Sequence, residues 1–246
     1  MRVFVKFGPL NNIQKKSLPI KGAGIIHLDI TQKIQFIQWV RPVYEKRIFE
    51  VISQILEEGD NCIDCGAHVG YWTLVFSHFV GKTGHVFSFE PDEENFRPLA
   101  RNVKSLNNIS ITNVALFNKN GVGTLYQNPK NEGGGSLFND VKKDNYPQLE
   151  IKTLKLDDFD KLPSKKIKLI KIDAEGSEID ILDGARKVME NEALRPQFCI
   201  IECSKREIQK RRTLFDIMKS YNYSSKPLEG EEEILFVEKD LPALYN

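Results

Sequence analysis

Residues 61–71 read NCIDCGAHVGY, and the fold follows from how this stretch changes character. Asn61–Cys65 is a short apolar run of strand length, whereas Val69–Val80 is an apolar run of helical length. The join between them is Asp64-Cys65-Gly66-Ala67-His68-Val69-Gly70. Gly66 allows a tight turn and close approach of a ligand to the backbone. Gly70 lets the following helix pack closely on the strand. Free amides at a helix start can face an anionic group. The run is not the G-x-G-x-x-G pattern that cradles a dinucleotide pyrophosphate, so the anion it suits is a small carboxylate.

Outward from this turn the chain alternates between two signals. Upstream, Pro42 opens a helical pattern over Val43–Glu57, with apolar residues at 48, 51, 52, 55 and 56, and Gly59 ends it. Downstream, His85–Glu90 reads as a strand, Asp92–Leu106 as an amphipathic helix, and Ile109–Val114 as a third strand. Lys166–Ile172 reads as a fourth strand and Glu178–Asn191 as a helix; Phe198–Glu202 is a fifth strand and Arg206–Tyr221 the helix after it. Tyr223–Lys226 and Ile234–Glu238 form a hairpin around Glu229-Gly230, and Glu231-Glu232-Glu233 reads as a solvated turn.

Strands alternating with helices imply an α/β fold: βαβ units, a mostly parallel sheet, helices on both faces and an antiparallel C-terminal hairpin. Residues 1–42 form a weakly patterned lead-in with β-rich pieces such as Ile34–Val40, ahead of a main domain over 43–246. Within it, residues 117–160 hold short β-like pieces, Gly133-Gly134-Gly135 and no long helix; they read as an edge insertion on the acceptor side.

In such a sheet the residues just after each strand carry the chemistry. After the second strand comes Phe89-Glu90-Pro91, with Glu90 placed 20 residues after Gly70, as an acid that accepts hydrogen bonds from two ribose hydroxyls is placed. Together with the Gly66 turn this suits S-adenosylmethionine, whose anionic end is a small carboxylate. After the fourth strand comes Lys171-Ile172-Asp173-Ala174-Glu175-Gly176, where Lys171 and Asp173 share one strand face. Charged groups crowded there are costly unless paired or used. The fifth strand ends at Glu202-Cys203-Ser204, another carboxylate on that edge.

The chain has 246 residues, a net charge of +1 and 41% apolar residues, enough for a sizeable core and no general case for binding nucleic acid or membranes. The N-terminus lacks a signal-peptide apolar core, and no run reaches the ~20 apolar residues of a membrane span. A soluble, cytoplasmic protein is expected. Cys62-x-x-Cys65 and Cys199-x-x-x-Cys203 resemble zinc spacing, but on strands three apart means opposite faces and four apart means roughly 13 Å, so buried structural thiols are expected. Lys205, Arg206, Lys210, Arg211 and Arg212 read as a solvated helix face, with an anionic acceptor as the alternative.

Asp64–Gly70 followed by Tyr71, Phe89-Glu90-Pro91, Asn113-Val114-Ala115-Leu116 and Lys171–Gly176 together resemble the FkbM family of methyltransferases, over roughly residues 44 to 203; Tyr44-Glu45 also fits. The first two motifs are shared widely among class I methyltransferases, and the last is specific to the family. The resemblance implies a Rossmann-like, seven-stranded class I methyltransferase fold, S-adenosylmethionine as cofactor, and O-methylation of a sugar, glycan or natural product. It implies cofactor contacts at Asp64, Gly66, Ala67, His68, Gly70, Tyr71, Glu90, Pro91, Val114 and Ala115. Gly66–Gly70 would meet the methionine part, Glu90 the ribose, and Val114-Ala115 the adenine. His68 stands where the family commonly has asparagine, adding a group that ordinarily titrates near neutrality.

Methyl transfer to an alcohol needs positioning and a base for the hydroxyl proton. Asp173 or Glu175 is expected in that catalytic role, with Lys171 shaping the local charge. Alternatives are Mg²⁺ held by Asp173, Glu175 and Glu202, for which no dedicated ligand motif is visible, a nicotinamide-dependent oxidoreductase, or a non-catalytic nucleotide-binding module. The expected partner is a small-molecule or glycan hydroxyl acceptor; nucleic acid is not expected.

Overall fold

The computed structural model describes residues 15–20, 22–41, 43–127, 135–137, 146–228, 232–239 and 241. Pro42, Gly133, Gly134 and residues 229–231 lie outside them, and with them the helix-opening proline, part of the glycine run and the hairpin turn. The elements run β1 (Lys15–Ile20), β2 (Gly24–Asp29), α1 (Lys33–Val40), α2 (Lys46–Ile55), β3 (Asn61–Cys65), α3 (Tyr71–Val80), β4 (His85–Phe89) and α4 (Glu93–Val103). They continue as β5 (Ile109–Thr112), β6 (Ala115–Leu116), β7 (Gly121–Gln127), β8 (Gly135–Ser136), β9 (Gln148–Leu154) and β10 (Leu169–Ile172). Last come α5 (Glu178–Gly184), α6 (Arg186–Glu190), β11 (Phe198–Glu202), α7 (Ile208–Ser220), β12 (Tyr223–Pro227) and β13 (Glu233–Glu238).

The main sheet has seven strands in the order β12-β13-β11-β10-β3-β4-β5. The five from β11 to β5 are parallel, and β13 runs antiparallel to both its neighbours. Alternating side chains feed two cores. Cys62, Val86, Leu169 and Ile200 pack with α2, α3 and the β1–β2 hairpin, while Ile63, Phe89, Ile172 and Ile201 pack with α5, α6 and α7. Cys62 and Cys65 therefore face opposite sides, and all four cysteines are buried free thiols.

The lead-in contains a strand hairpin and a helix. Ile34–Val40, expected as β-rich, is most of α1. Its inward face carries Gln35 and Gln38, so the helical period is written in buried polar residues and leaves no apolar stripe to recognise. Asn102 of α4 ties the lead-in down, accepting from the His27 amide at 3.0 Å and donating to the Val69 carbonyl at 2.8 Å. The helix expected over Val43–Glu57 starts later, because Glu45 adopts a left-handed φ of 48° just before α2. The helix expected over Glu178–Asn191 breaks between α5 and α6. Gly184 lies so close to the Phe117 carbonyl that a Cβ there would stand 2.0 Å from its oxygen.

β6 and three strands of the 117–160 region form a separate four-stranded sheet in the order β6-β9-β7-β8. It is anchored to the start of α4, where the Gln127 amide donates to Asp92 Oδ2 at 2.8 Å. No helix among the described residues is long and apolar enough to cross a membrane.

Gly70 caps α3 at φ 96°, and a Cβ there would meet Leu99 Cδ1 of α4 at 2.8 Å. Gly70 thus packs against α4 rather than against its own strand. The left-handed geometry costs an alanine about 1–3 kcal/mol, or about 2–4 °C of melting temperature per kcal/mol. Gly70→Ala should lower Tm by that amount in a thermal melt; an unchanged Tm would contradict the packing described.

Candidate active site at the carboxyl edge of the sheet

The ends of β3, β4 and β10 meet at one point. The amides of Gly66 and Ala67 both donate to the Phe89 carbonyl at 3.0 Å, and the Asp173 amide donates to the Cys65 carbonyl at 3.1 Å. Gly66 turns at φ 80°, and a Cβ on it would stand 1.8 Å from the Asp173 carbonyl oxygen, so only glycine lets the two loops touch. Above them opens a cavity of ≈ 760 Å³, within the range of small-molecule and cofactor sites.

The Glu90 carboxylate binds both flanking loops. It accepts from the His68 amide at 2.8 Å and from the Asp92 amide at 3.0 Å, which leaves further lone pairs facing the cavity. Burial pushes its pKa up to about 7. Asn113 fixes the same loop from the far side, donating to the carbonyls of Glu90 at 2.9 Å and Pro91 at 3.1 Å. The amides of Gly66, Ala67, His68 and Gly70 are all engaged within the fold, so they are not the free donors expected at this turn.

His68 lines the cavity at φ 50°. Asparagine and histidine are both enriched in that left-handed region, which accounts for histidine at a position where asparagine is usual. Burial lowers its pKa to about 4, so the imidazole is neutral at pH 7 instead of titrating near neutrality.

Lys171 is 1% exposed and donates to Asp173 Oδ2 at 2.6 Å. Burial alone would lower its pKa, but Asp173, Glu45, Glu233 and Asp64 around it hold it above the ordinary lysine range. Burial would likewise raise Asp173; Lys171 outweighs it and holds the carboxyl below its usual value. Asp173 and then burial push the neighbouring Glu202 up to about 10. At neutral pH, therefore, Asp173 is ionised and Glu202 carries the proton of the pair. Glu45 arrives from the turn before α2, raised by burial, and accepts from Trp72 Nε1 at 2.9 Å.

Of the residues expected to bind cofactor, Gly66, Ala67, His68, Tyr71, Glu90, Pro91, Val114 and Ala115 line this cavity, as do Asp173 and Glu175. Asp64 and Gly70 do not. Asp64 is buried beneath the wall, paired in register with Lys171 and accepting from Thr73 Oγ1 at 2.6 Å. Lys171 is not in the wall either; it meets the wall through its contact with Asp173. Lining residues to which sequence reading gave no role are Tyr44, Glu45, Trp72, Gln38, Ser177 and Glu233. Glu233 corrects the reading of its cluster as a solvated turn: it is 7% exposed and faces the cavity. Of the basic residues expected on a solvated helix face, Lys205, Arg206 and Arg212 are exposed, whereas Lys210 pairs with buried Glu178 at 2.5 Å and Arg211 donates to the Cys203 carbonyl. Among the described residues no group of three or more His, Cys, Asp or Glu side chains is arranged to hold a metal ion.

A seven-stranded sheet of this order, with a glycine turn after β3 and a buried acid after β4, defines a class I S-adenosylmethionine-dependent methyltransferase. The chain belongs to the FkbM methyltransferase family, whose domain model matches residues 64–225. Methyltransferase FkbM from Methylobacillus flagellatus KT is structurally similar, with 18% identity, a TM-score of 0.50, and coverage of 77% of this chain and 50% of that one. A putative rRNA-methylase from Clostridium thermocellum has 13% identity, a TM-score of 0.49, and coverage of 78% and 92%. Fibrillarin from Aeropyrum pernix, solved with natively bound S-adenosyl-L-methionine, has 13% identity, a TM-score of 0.47, and coverage of 78% and 73%. No curated protein matches the chain. The family replaces the nicotinamide and non-catalytic alternatives that Glu90 alone left open.

Removing the ammonium from among these carboxyls should be expensive. Lys171→Met leaves buried acids without their counter-charge, a loss of about 3–5 kcal/mol when they are ionised. The acids of the variant have folded pKa values above their unfolded ones, so the penalty should grow as pH rises. Urea unfolding at pH 5 and pH 8 should show the larger loss at pH 8; equal losses would contradict the charge arrangement.

Proposed function

We propose that this methyltransferase transfers the methyl group to a hydroxyl of a sugar, glycan or natural-product acceptor. The observation that carries this reading is the Asp173 carboxylate in the cavity wall, one strand from the Gly66 turn and paired with the buried Lys171 ammonium at 2.6 Å, which favours its ionised form. The cavity fits the cofactor: Gly66 lets the turn after β3 close against the Asp173 backbone beneath it, and the buried Glu90 carboxylate keeps lone pairs for ribose hydroxyls.

Bound there, S-adenosylmethionine supplies a methyl group on a sulfonium sulfur, already activated for in-line displacement by an acceptor oxygen. The residues' share is placement and proton transfer. Gly66, Ala67 and His68 shape the methionine end, Glu90 takes the ribose, and Pro91, Val114 and Ala115 border the adenine. Asp173 accepts the acceptor's hydroxyl proton as the carbon–sulfur bond breaks and the carbon–oxygen bond forms. Glu175, at φ 47° in the same wall, orients the hydroxyl. Placement alone can supply up to about 7–11 kcal/mol of acceleration and the base a further factor of about 10²–10⁴. Four buried free thiols accord with a reducing, cytoplasmic setting.

Asp173→Asn should lower kcat by about 10²–10⁴ while S-adenosylhomocysteine still binds. Near-native kcat would remove Asp173 from the base role. The cofactor site has its own pH signature. Ribose hydroxyls donate best to ionised Glu90, so affinity for S-adenosylhomocysteine should rise with pH up to about 7 and then level off. In Glu90→Gln calorimetry should give weaker, pH-flat binding; an unchanged profile would displace Glu90 from the ribose.

A further inference from the structure

Acids continue along the sheet edge beyond Asp173, away from the cofactor turn. In strand order the edge presents Gly66 after β3, Asp173 after β10, Glu202 on β11 and Glu233 on β13. Glu202 and Glu233 are direct partners in the antiparallel ladder, an arrangement that ordinarily destabilises a sheet when both are carboxylates. Both line the cavity. At about 4.8 Å per strand they lie roughly 10 and 14 Å from β3, past the reach of the cofactor's methionine end.

The same cavity wall holds two buried polar atoms without a hydrogen-bond partner. Gln38 is 4% exposed with Oε1 unpartnered, and Ser177 is 1% exposed with Oγ unpartnered. The Lys171 ammonium among these acids is committed to Asp173 at 2.6 Å. The cavity wall thus offers a ligand acceptor oxygens at the facing Glu202 and Glu233 carboxyls and at Gln38 Oε1. A buried acceptor left unmatched destabilises the wall, so the ligand that completes it brings donors. Burial pushes Glu233 up to about 8 and Asp173 pushes Glu202 up to about 10; the pair stores protons where a ligand cation would sit.

We propose that the acceptor carries an ammonium group, as in an amino sugar or amino alcohol, seated between Glu202 and Glu233 while its hydroxyl lies at Asp173. This rests on the methyltransferase reading of the same cavity. An ammonium supplies the positive charge that lets the facing carboxyls ionise and release their protons to solvent, which a neutral polyol does not.

The test is calorimetric titration of the full chain at pH 7, with and without saturating S-adenosylhomocysteine. Two matched pairs serve as probes, glucosamine against glucose and ethanolamine against ethylene glycol, with MgCl₂ as a third arm. The amines should bind at least tenfold more tightly than their neutral partners. Glu233→Gln should reduce that preference to less than threefold with S-adenosylhomocysteine affinity unchanged, and Glu202→Gln should do the same should the first variant fail to fold. Equal or tighter binding of the neutral partners, no binding of either amine, a preference that survives substitution, or displacement of the amines by MgCl₂ would each overturn the assignment. An intact amine preference in a chain that fails to bind S-adenosylhomocysteine would instead sustain it and sink the cofactor reading.

Discussion

One buried ammonium makes the carboxyl edge of this sheet possible. Lys171 sits among Asp173, Glu45, Glu233 and Asp64, and without it the fold could not keep so many acids out of water. Its register fixes the charge pattern: Asp64 is its neighbour on β3 and Asp173 its neighbour two residues on. Asp173 is ionised because Lys171 is there, and Glu202 is protonated because Asp173 is ionised. The charge pattern of the site is thus set one layer beneath the cavity, by a residue outside its wall.

The second constraint is steric. Gly66 and Asp173 meet through their backbones, which brings the cofactor turn and the acid loop within one strand spacing. The lead-in with the turn before α2 closes the space around them on one side, through Gln38, Tyr44 and Glu45, and the small sheet on the other, through Leu125 and Gln127.

Much of this was legible in the sequence because short-range signals decide it. The apolar runs at Asn61–Cys65, His85–Phe89 and Phe198–Glu202 mark strands directly, and the turns after them are where a doubly wound sheet puts its ligands. What was not legible depends on pairing between distant segments. Glu233 reads as one of three consecutive acids until β13 pairs with β11 and turns it into the cavity. Asp64 reads as part of the cofactor turn until its register with Lys171 shows it to be a buried counter-charge. α1 is hidden because its inward face carries glutamines that border the cavity, so the usual apolar period is missing. The engaged amides of Gly66 and Ala67 were invisible for the same reason, since their acceptor is the end of another strand.

A crystal structure of the chain with S-adenosylhomocysteine tests this arrangement most directly. Density should place the ribose hydroxyls on the Glu90 carboxylate, the amino-acid end over Gly66, and the sulfur facing Asp173 across open space large enough for an acceptor. The ligand lying elsewhere, or seated with its sulfur turned away from Asp173, would contradict it.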